Sequence, residues 1–482
     1  MKAEPVLQGL KHHEPIFLQR KGRKLLKKQE GTPQNIYIKW IHGEIEQEAA
    51  CLELPFTLTL LLSFAMLSVY FIGQDTIMLV EDAITTDIQE NANFAWAYNF
   101  GHKGIDDVNS YADFWSWCRI GFVPLVVPSQ PWAYSEDLDA AVPQQNGRPA
   151  YDTALLPSRR EMPGYERPTP IRNDYLRYNR IIGGIRFRQQ VSATSYDNCV
   201  YPGSPDVFKA YVGKPCTQNS EQELNPDYYT TESMANPVRE EWLLSEIYSQ
   251  EMLIQQLIDM EDGCISATAQ NRTCLCSWCD AQSPQYPWLN KQTLRLEISF
   301  PVYNAQYGIH AMATINFWFN RAGHIHKRIN VRSSWASIEI RKTLTLFTIL
   351  TAGMVWMLAN IYLLRTEGWE IYETIIRHNN KRWFLAIFED YLSLWNTVDW
   401  ISVAIAMAIL FMFVMLLLQT NAVTTTLGEL AVATTSNTTL TPRAHQDMIV
   451  GYYAELSELF DRERVLRSWL CLYPMVLMMR LF

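Results

Sequence analysis

The stretch LPFTLTLLLSFAMLSVYFI, Leu54–Ile72, holds no charged side chain and, as a helix, is long enough to cross the roughly 30 Å apolar core of a bilayer. Beyond it lies a long polar insert, from about Gly73 to Ala336, before apolar character returns at Leu344–Leu364. A third run, Val398–Leu418, is interrupted only by Asp399; a fourth and weaker one, Val465–Phe482, carries Arg467 and Arg480. The pattern predicts an α-helical membrane bundle of four helices with a large domain inserted between the first and the second.

Arg20, Lys21, Arg23, Lys24, Lys27 and Lys28 precede the first run, which lies too far from the start to be an ordinary cleaved signal peptide and reads as a signal anchor. Positive charge stays on the cytosolic side, so the amino terminus is expected there, as is the segment with Arg365, Arg377, Lys381 and Arg382. The basic cluster is a topology determinant or a contact to anionic membrane lipid. The insert is then extracytosolic. The sequons Asn271-Arg272-Thr273 and Asn437-Thr438-Thr439 both fall on that side, as glycosylation requires. Seven of the nine cysteines (Cys118, Cys199, Cys216, Cys264, Cys274, Cys276 and Cys279) lie in the insert, where oxidation is permitted. Residues 74–338 carry 30 Asp and Glu against 21 Lys and Arg, and the rest of the chain is balanced. The expected segmentation is a basic cytosolic stretch 1–53, membrane helix 54–72, extracytosolic domain 73–336, membrane helix 340–364, cytosolic linker 365–396, membrane helix 397–418, extracytosolic loop 419–463 and membrane helix 464–482.

Within the insert, Ser110-Tyr111-Ala112-Asp113 has the form of a helix N-cap, followed by a short aromatic helix with Phe114, Trp115 and Trp117. Residues 124–170, rich in proline, read as irregular loop. Alternation from Ile181 to Val191 predicts a half-buried strand. An amphipathic helix is expected from Asn236, with Pro237 in its first turn, to a stop at Gly263. Two alternating runs, Leu294–Val302 and Ala311–Phe319, flank a turn around Asn304 and predict a hairpin. The insert is therefore expected to be α+β, with an antiparallel sheet packed by a few helices.

Four of these segments together resemble signatures of the polycystin family, and they occur in the family's order. They are Ser110 to Trp117 with Phe114 and Trp115; Arg186-Phe187-Arg188-Gln189 followed by Cys199 and Cys216; Phe300-Pro301-Val302-Tyr303-Asn304-Ala305; and Tyr391 to Asp399 with Trp395 and Asn396. The resemblance covers roughly residues 54–482. It implies a polycystin domain inserted into a voltage-sensor-like bundle, with four subunits, alike or mixed, interlocking above a cation pore. It also implies a Cys199–Cys216 disulfide. The family's pore helices and filter have no counterpart here, so the chain is expected to contribute assembly contacts and a sensor-like bundle to a calcium-permeable channel without a pore of its own. A plasma or ciliary membrane is the expected location, with an endomembrane as the alternative. A non-conducting receptor that binds polycystins or extracellular partners, and a mucolipin-like endolysosomal channel, are the competing readings; Val302-Tyr303-Asn304-Ala305 favours polycystin over the latter.

Among single residues, Asp399 is a carboxylate inside an apolar run, to be paired with Arg467 or Arg480 or else wetted at the interface. Leu427-Gly428-Glu429-Leu430 has some likeness to a filter but continues the third apolar run. Cys264, Cys274, Cys276 and Cys279 have spacings that suit zinc or disulfides, and an oxidising compartment favours disulfides. An odd total leaves one thiol over, a buried Cys118 or a link between subunits. His310, His324 and His326 lie in or after the hairpin, two of them spaced like ligands on one strand face. No nucleotide loop, hydrolase elbow or ordered acid–base pair is present, so an enzyme, a cofactor and a nucleic-acid partner are not expected.

Overall fold

The computed structural model describes residues 34–97, 101–127, 144–145, 148–149, 174–176, 178–192, 194–203, 205–217, 238–277, 287–320, 323–337, 343–377, 394–435 and 441–480. The basic cluster Arg20 to Lys28, most of the proline-rich stretch, Asn236, Pro237, Cys279, Lys381, Arg382, Tyr391 and Asn437 lie outside these residues.

The inserted domain is built on an antiparallel sheet. Its strands are β1 (Asn179–Ile181), β2 (Ile185–Val191), β3 (Val238–Leu243), β4 (Thr293–Asn304), β5 (Ile309–Phe319) and β6 (Ile325–Trp335). They follow the order β3-β2-β4-β5-β6, with β1 paired to the end of β4 and Asp174–Tyr175 paired to β1. The β4–β5 hairpin turns where Asn304 accepts from the Tyr307 N–H through its side chain (3.0 Å) and from the Gly308 N–H through its carbonyl (2.8 Å). That local bonding is why an asparagine suits the position.

Side chains alternate across the strands. One face, with Phe187, Leu296, Ile298, Phe300, Val302, Ala313, Ile315 and Phe317, is fully buried and apolar. Helix α1 (Gln34–Ile72) ends at Gly73, whose left-handed backbone (φ 57°) starts α2 (Gln74–Asn91). Helix α2 lays Ile77, Val80, Ile84 and Ile88 into this core. The next helix, α3 (Tyr111–Ser116), is capped as its sequence predicts, the Ser110 hydroxyl accepting from the Asp113 N–H at 3.0 Å. It delivers Phe114 and, through the following π turn, Trp117 edge-on to Phe317, with ring centres 5.1 and 5.5 Å away. A side chain at Gly121 in that turn would meet the Ala92 carbonyl, so only glycine permits the approach.

A short helix, α4 (Pro205–Val212), precedes β3, and α5 (Gln250–Asp262) follows it. The helix expected from Asn236 is therefore corrected. Its first part is strand β3, because Glu240 and Trp242 lie opposite Arg188 and Arg186 of β2 and gain cross-strand partners there. The helix starts instead at Ser249, whose hydroxyl accepts from the Met252 N–H, and stops at Gly263 in the left-handed region (φ 66°), as expected.

Three long helices complete the chain: α6 (Thr343–Arg377), α7 (Leu394–Thr435) and α8 (Pro442–Met479). Residues 419–435 and 442–463 are helical rather than the expected loop. Helix α7 runs on past the end of its apolar run through Thr420, Thr424, Thr425 and Thr426, whose hydroxyls bond back to carbonyls one turn earlier. Gly428 lies inside it, which leaves no filter-like loop there. Three spans, Leu54–Asn91, Thr343–Ile376 and Asn396–Thr434, are long and apolar enough to cross a membrane. Helix α8 is not among them, since Asp461, Arg462, Glu463, Arg464 and Arg467 interrupt it. On α6, Leu344, Phe347, Leu350, Met354, Leu358 and Ile361 are exposed, a stripe suited to lipid and costly in water. This is a helical membrane protein with an inserted antiparallel sheet.

The chain divides into two compact units. One comprises residues 1–68, 348–407 and 470–482; in it Phe64 meets Trp356 and Tyr473 at 5.5 and 4.6 Å between ring centres. The other comprises residues 69–347 and 408–469 and holds the sheet. Phe317→Ala, deep under the sheet, is expected to destabilise the second unit by about 3–5 kcal/mol. Thermal unfolding followed by near-UV circular dichroism checks this; an unchanged midpoint would contradict the core assignment.

Candidate functional site

The opposite face of the same sheet is polar in sequence yet buried. On β4, Arg295, Glu297 and Ser299 are 4, 1 and 0% exposed, and on β5, His310, Thr314 and Asn316 are no more than 1% exposed. The amino-terminal part of α8 brings Ile449, Tyr452, Tyr453, Phe460 and Asp461 to this face. Glu297 accepts from Arg186 Nη2 at 2.8 Å, and the same nitrogen lies 3.0 Å from the Tyr453 hydroxyl. The guanidinium sits 3.9 Å from the Tyr453 ring centre, and Trp242 stands edge-on to that ring at 5.8 Å. Burial pushes the Tyr453 phenol up to about 12, and Arg186 offsets only part of that. Beside it, Arg332 pairs with Asp461 at 3.0 Å. His445 lies 3.2 Å from Glu246, both nearly inaccessible. His310 Nδ1 lies 3.1 Å from the Tyr452 hydroxyl. Gly183, at φ 78°, leaves room for Ile449, which a Cβ there would strike.

Two buried carboxylates fix the cysteine loop. Asp259 is inaccessible; burial alone would raise its pKa, but the Arg272 guanidinium and the Leu275 N–H (2.9 Å) hold it below the ordinary value. Glu241 accepts from the Ser277 N–H and hydroxyl at 3.1 and 2.7 Å and from Gln256 at 2.9 Å. Cys264 is bonded to Cys274, and Cys276 is disulfide-bonded as well. Cys118 is a buried free thiol, raised well above its ordinary pKa by burial. No group of three or more His, Cys, Asp or Glu able to hold a metal converges among the described residues. Asn271, in the first sequon, is exposed at the end of this loop, with φ 53°.

Cys199 and Cys216 are bonded, with Cα atoms 5.1 Å apart, and close an arm of the insert that contains α4. The arm presents Val200, Val207 and Tyr211 at 98, 66 and 88% exposure. In the other unit, Arg480 Nε lies 2.5 Å from Asp399 Oδ1, so Arg480 is a partner of Asp399; Arg467, in the sheet unit, pairs one turn away with Glu463 at 2.8 Å.

The remaining signature residues separate into two groups. Phe114 and Trp115 are core, Arg188 pairs with Glu240 at 3.1 Å, Tyr303 lies 5.1 Å from His310 between ring centres, and Asn304 makes the turn. Trp395 and Asn396 lie in the first turn of α7. Sequence reasoning missed Glu297, Tyr452 and Tyr453. No local signal marks them, since Glu297 falls at a polar position of an alternating run, which reads as solvent-facing. Neither a family model nor a curated protein sequence matches the chain.

Removing one partner of a buried ion pair weakens the hold on the other, and without Arg186 the Glu297 carboxylate keeps only Arg295, at 3.6 Å. Arg186→Leu is accordingly expected to destabilise the sheet unit by about 3–5 kcal/mol, and Arg186→Leu with Glu297→Leu to recover part of the loss, in chemical denaturation. His310, buried beside Tyr303 and Tyr452, has its pKa lowered to about 4. The unfolded chain therefore binds more protons between about pH 6.5 and 4, and stability falls as pH drops through that window. His310→Gln is expected to flatten this part of the melting-temperature profile.

Proposed function

We propose that this chain is a polycystin-like subunit of a cation channel, calcium-permeable, residing in the plasma or ciliary membrane with its amino terminus cytosolic. The observation that carries the reading is an antiparallel-sheet domain inserted between the first and second apolar helices and bearing a disulfide-closed arm whose short helix exposes Val207 and Tyr211. Apolar residues so exposed on an otherwise charged module suit contact with a neighbouring subunit. In this reading the insert is the extracytosolic polycystin domain. The carboxy-terminal part of α8, with Arg480 held by Asp399, is the fourth helix of a voltage-sensor-like bundle. The four sequence segments that resemble the family supply the channel class, and other polycystin-like subunits in a tetramer are the implied partners.

The test is native mass spectrometry of the chain extracted in lipid, alone and co-expressed with a polycystin subunit. Four-membered assemblies are expected, and Val207→Asp with Tyr211→Asp, both on an exposed face, should convert them to smaller species. A monomer under both conditions would contradict the proposal and favour a non-conducting receptor. Assemblies indifferent to the two substitutions would remove the arm from the contact.

A further inference from the structure

The β5–β6 hairpin closes through a tight turn in which the Gly323 N–H donates to the Asn320 carbonyl and the Asn320 N–H to the His324 carbonyl, both at 2.9 Å. The turn fixes His324 beside His326, with ring centres 4.6 Å apart and planes at 83°. Two imidazoles bound to one ion at adjacent right-angled positions, with metal–nitrogen bonds of about 2.0–2.1 Å, bring their ring centres to roughly 4.5 Å. The Asn320 side-chain amide faces His326 Nε2 at 3.5 Å. That is long for a hydrogen bond, and two donors about 2.0–2.1 Å from one ion stand roughly 3.5 Å apart when they open to about 120°. A half-turn of the amide presents its oxygen instead of its nitrogen.

Burial, His324 and the neighbouring Lys327 lower the His326 pKa and so favour the neutral imidazole that an ion needs. Lys327 points to the other sheet face, where its ammonium donates to the Asp106 carbonyl at 2.9 Å and to Asn109 Oδ1 at 3.1 Å. His326 lies opposite Trp318 on edge strand β6, so its ring stands at the open end of the sheet.

We infer that Asn320, His324 and His326 form a binding site for an imidazole-preferring divalent transition ion, with water completing its coordination. Imidazole nitrogens with an amide oxygen are a donor set that suits Cu(II), which therefore serves as the probe ion. A bound ion would pin the turn to the edge strand, adding a cross-link where the sheet has no further strand to pair with. The inference is independent of the channel reading, since it concerns only the hairpin.

The experiment titrates Cu(II) alone into the tag-free full chain carrying His12→Ala and His13→Ala, which removes a competing adjacent pair, and records electron paramagnetic resonance spectra. One bound equivalent with hyperfine splitting from two nitrogens is expected. His324→Ala and His326→Ala should each weaken binding by at least about tenfold, and Asn320→Asp, which supplies an anionic oxygen, should tighten it. Ion-free melting temperatures should be unchanged in all three, because His324 is exposed and His326 only partly buried. Undiminished affinity in either histidine variant, or a spectrum without two-nitrogen coupling, would overturn the assignment.

Discussion

Glu297 sits in the middle of the central strand β4 with 1% of its surface accessible, and a carboxylate so buried is costly unless a cation is delivered to it. Arg186 on β2 is the nearer cation at 2.8 Å, with Arg295 of β4 at 3.6 Å, and Arg186 is itself closed over by Tyr453 of α8. The sheet therefore has two buried faces of opposite chemistry. The apolar face is sealed by α2, α3 and α5 through non-directional packing. The polar face is sealed by α8 through specific pairs, Arg186 with Tyr453, His310 with Tyr452, and Arg332 with Asp461, each of which fails if the helix shifts by one turn. Buried polar groups of this kind set register more than they add stability.

This constraint explains why α8 is long and highly charged. A helix meant only to cross lipid would exclude Asp461, Arg462, Glu463 and Arg464; here one of them, Asp461, meets the sheet, and Arg462 and Arg467 pair along the helix itself. The same helix ends at Arg480, which answers Asp399. The segment thus meets a buried network in one unit and the Asp399 carboxylate of α7 in the other.

Local rules made much of the fold legible. The β4–β5 hairpin followed from strict alternation around Asn304, α3 from the Ser110 cap, and the end of α5 from Gly263. The three apolar helices followed from composition alone. What was not legible depended on partners distant in sequence. Val238–Leu243 has the apolar content of a helix and becomes strand β3 because β2 offers an unpaired edge and complementary charges. Strand β6 was missed because Lys327, Arg328 and Arg332 mask its alternation. The helical extension of α7 was missed because threonines disfavour helix in isolation and are held here by tertiary packing. Of the candidate site, the Cys199–Cys216 pair was implied by the resemblance alone, and Asp399 stood out in its apolar run with its partner left open between Arg467, Arg480 and interfacial water. The buried polar face could not be read, since period-two alternation assigns its residues to solvent whether or not a helix later covers them.

The account stands on the inserted domain being folded on the far side of the membrane from the basic amino terminus. Asn271 reports this directly, being exposed at the end of a disulfide-held loop with its Thr273 also exposed. Electrophoresis of the chain from mammalian cells, before and after peptide N-glycosidase treatment, should show a glycan-dependent mass shift that Asn271→Gln reduces. A chain with no glycan at any sequon, whose insert is digested by protease added to the cytosolic side of sealed membranes, would contradict it.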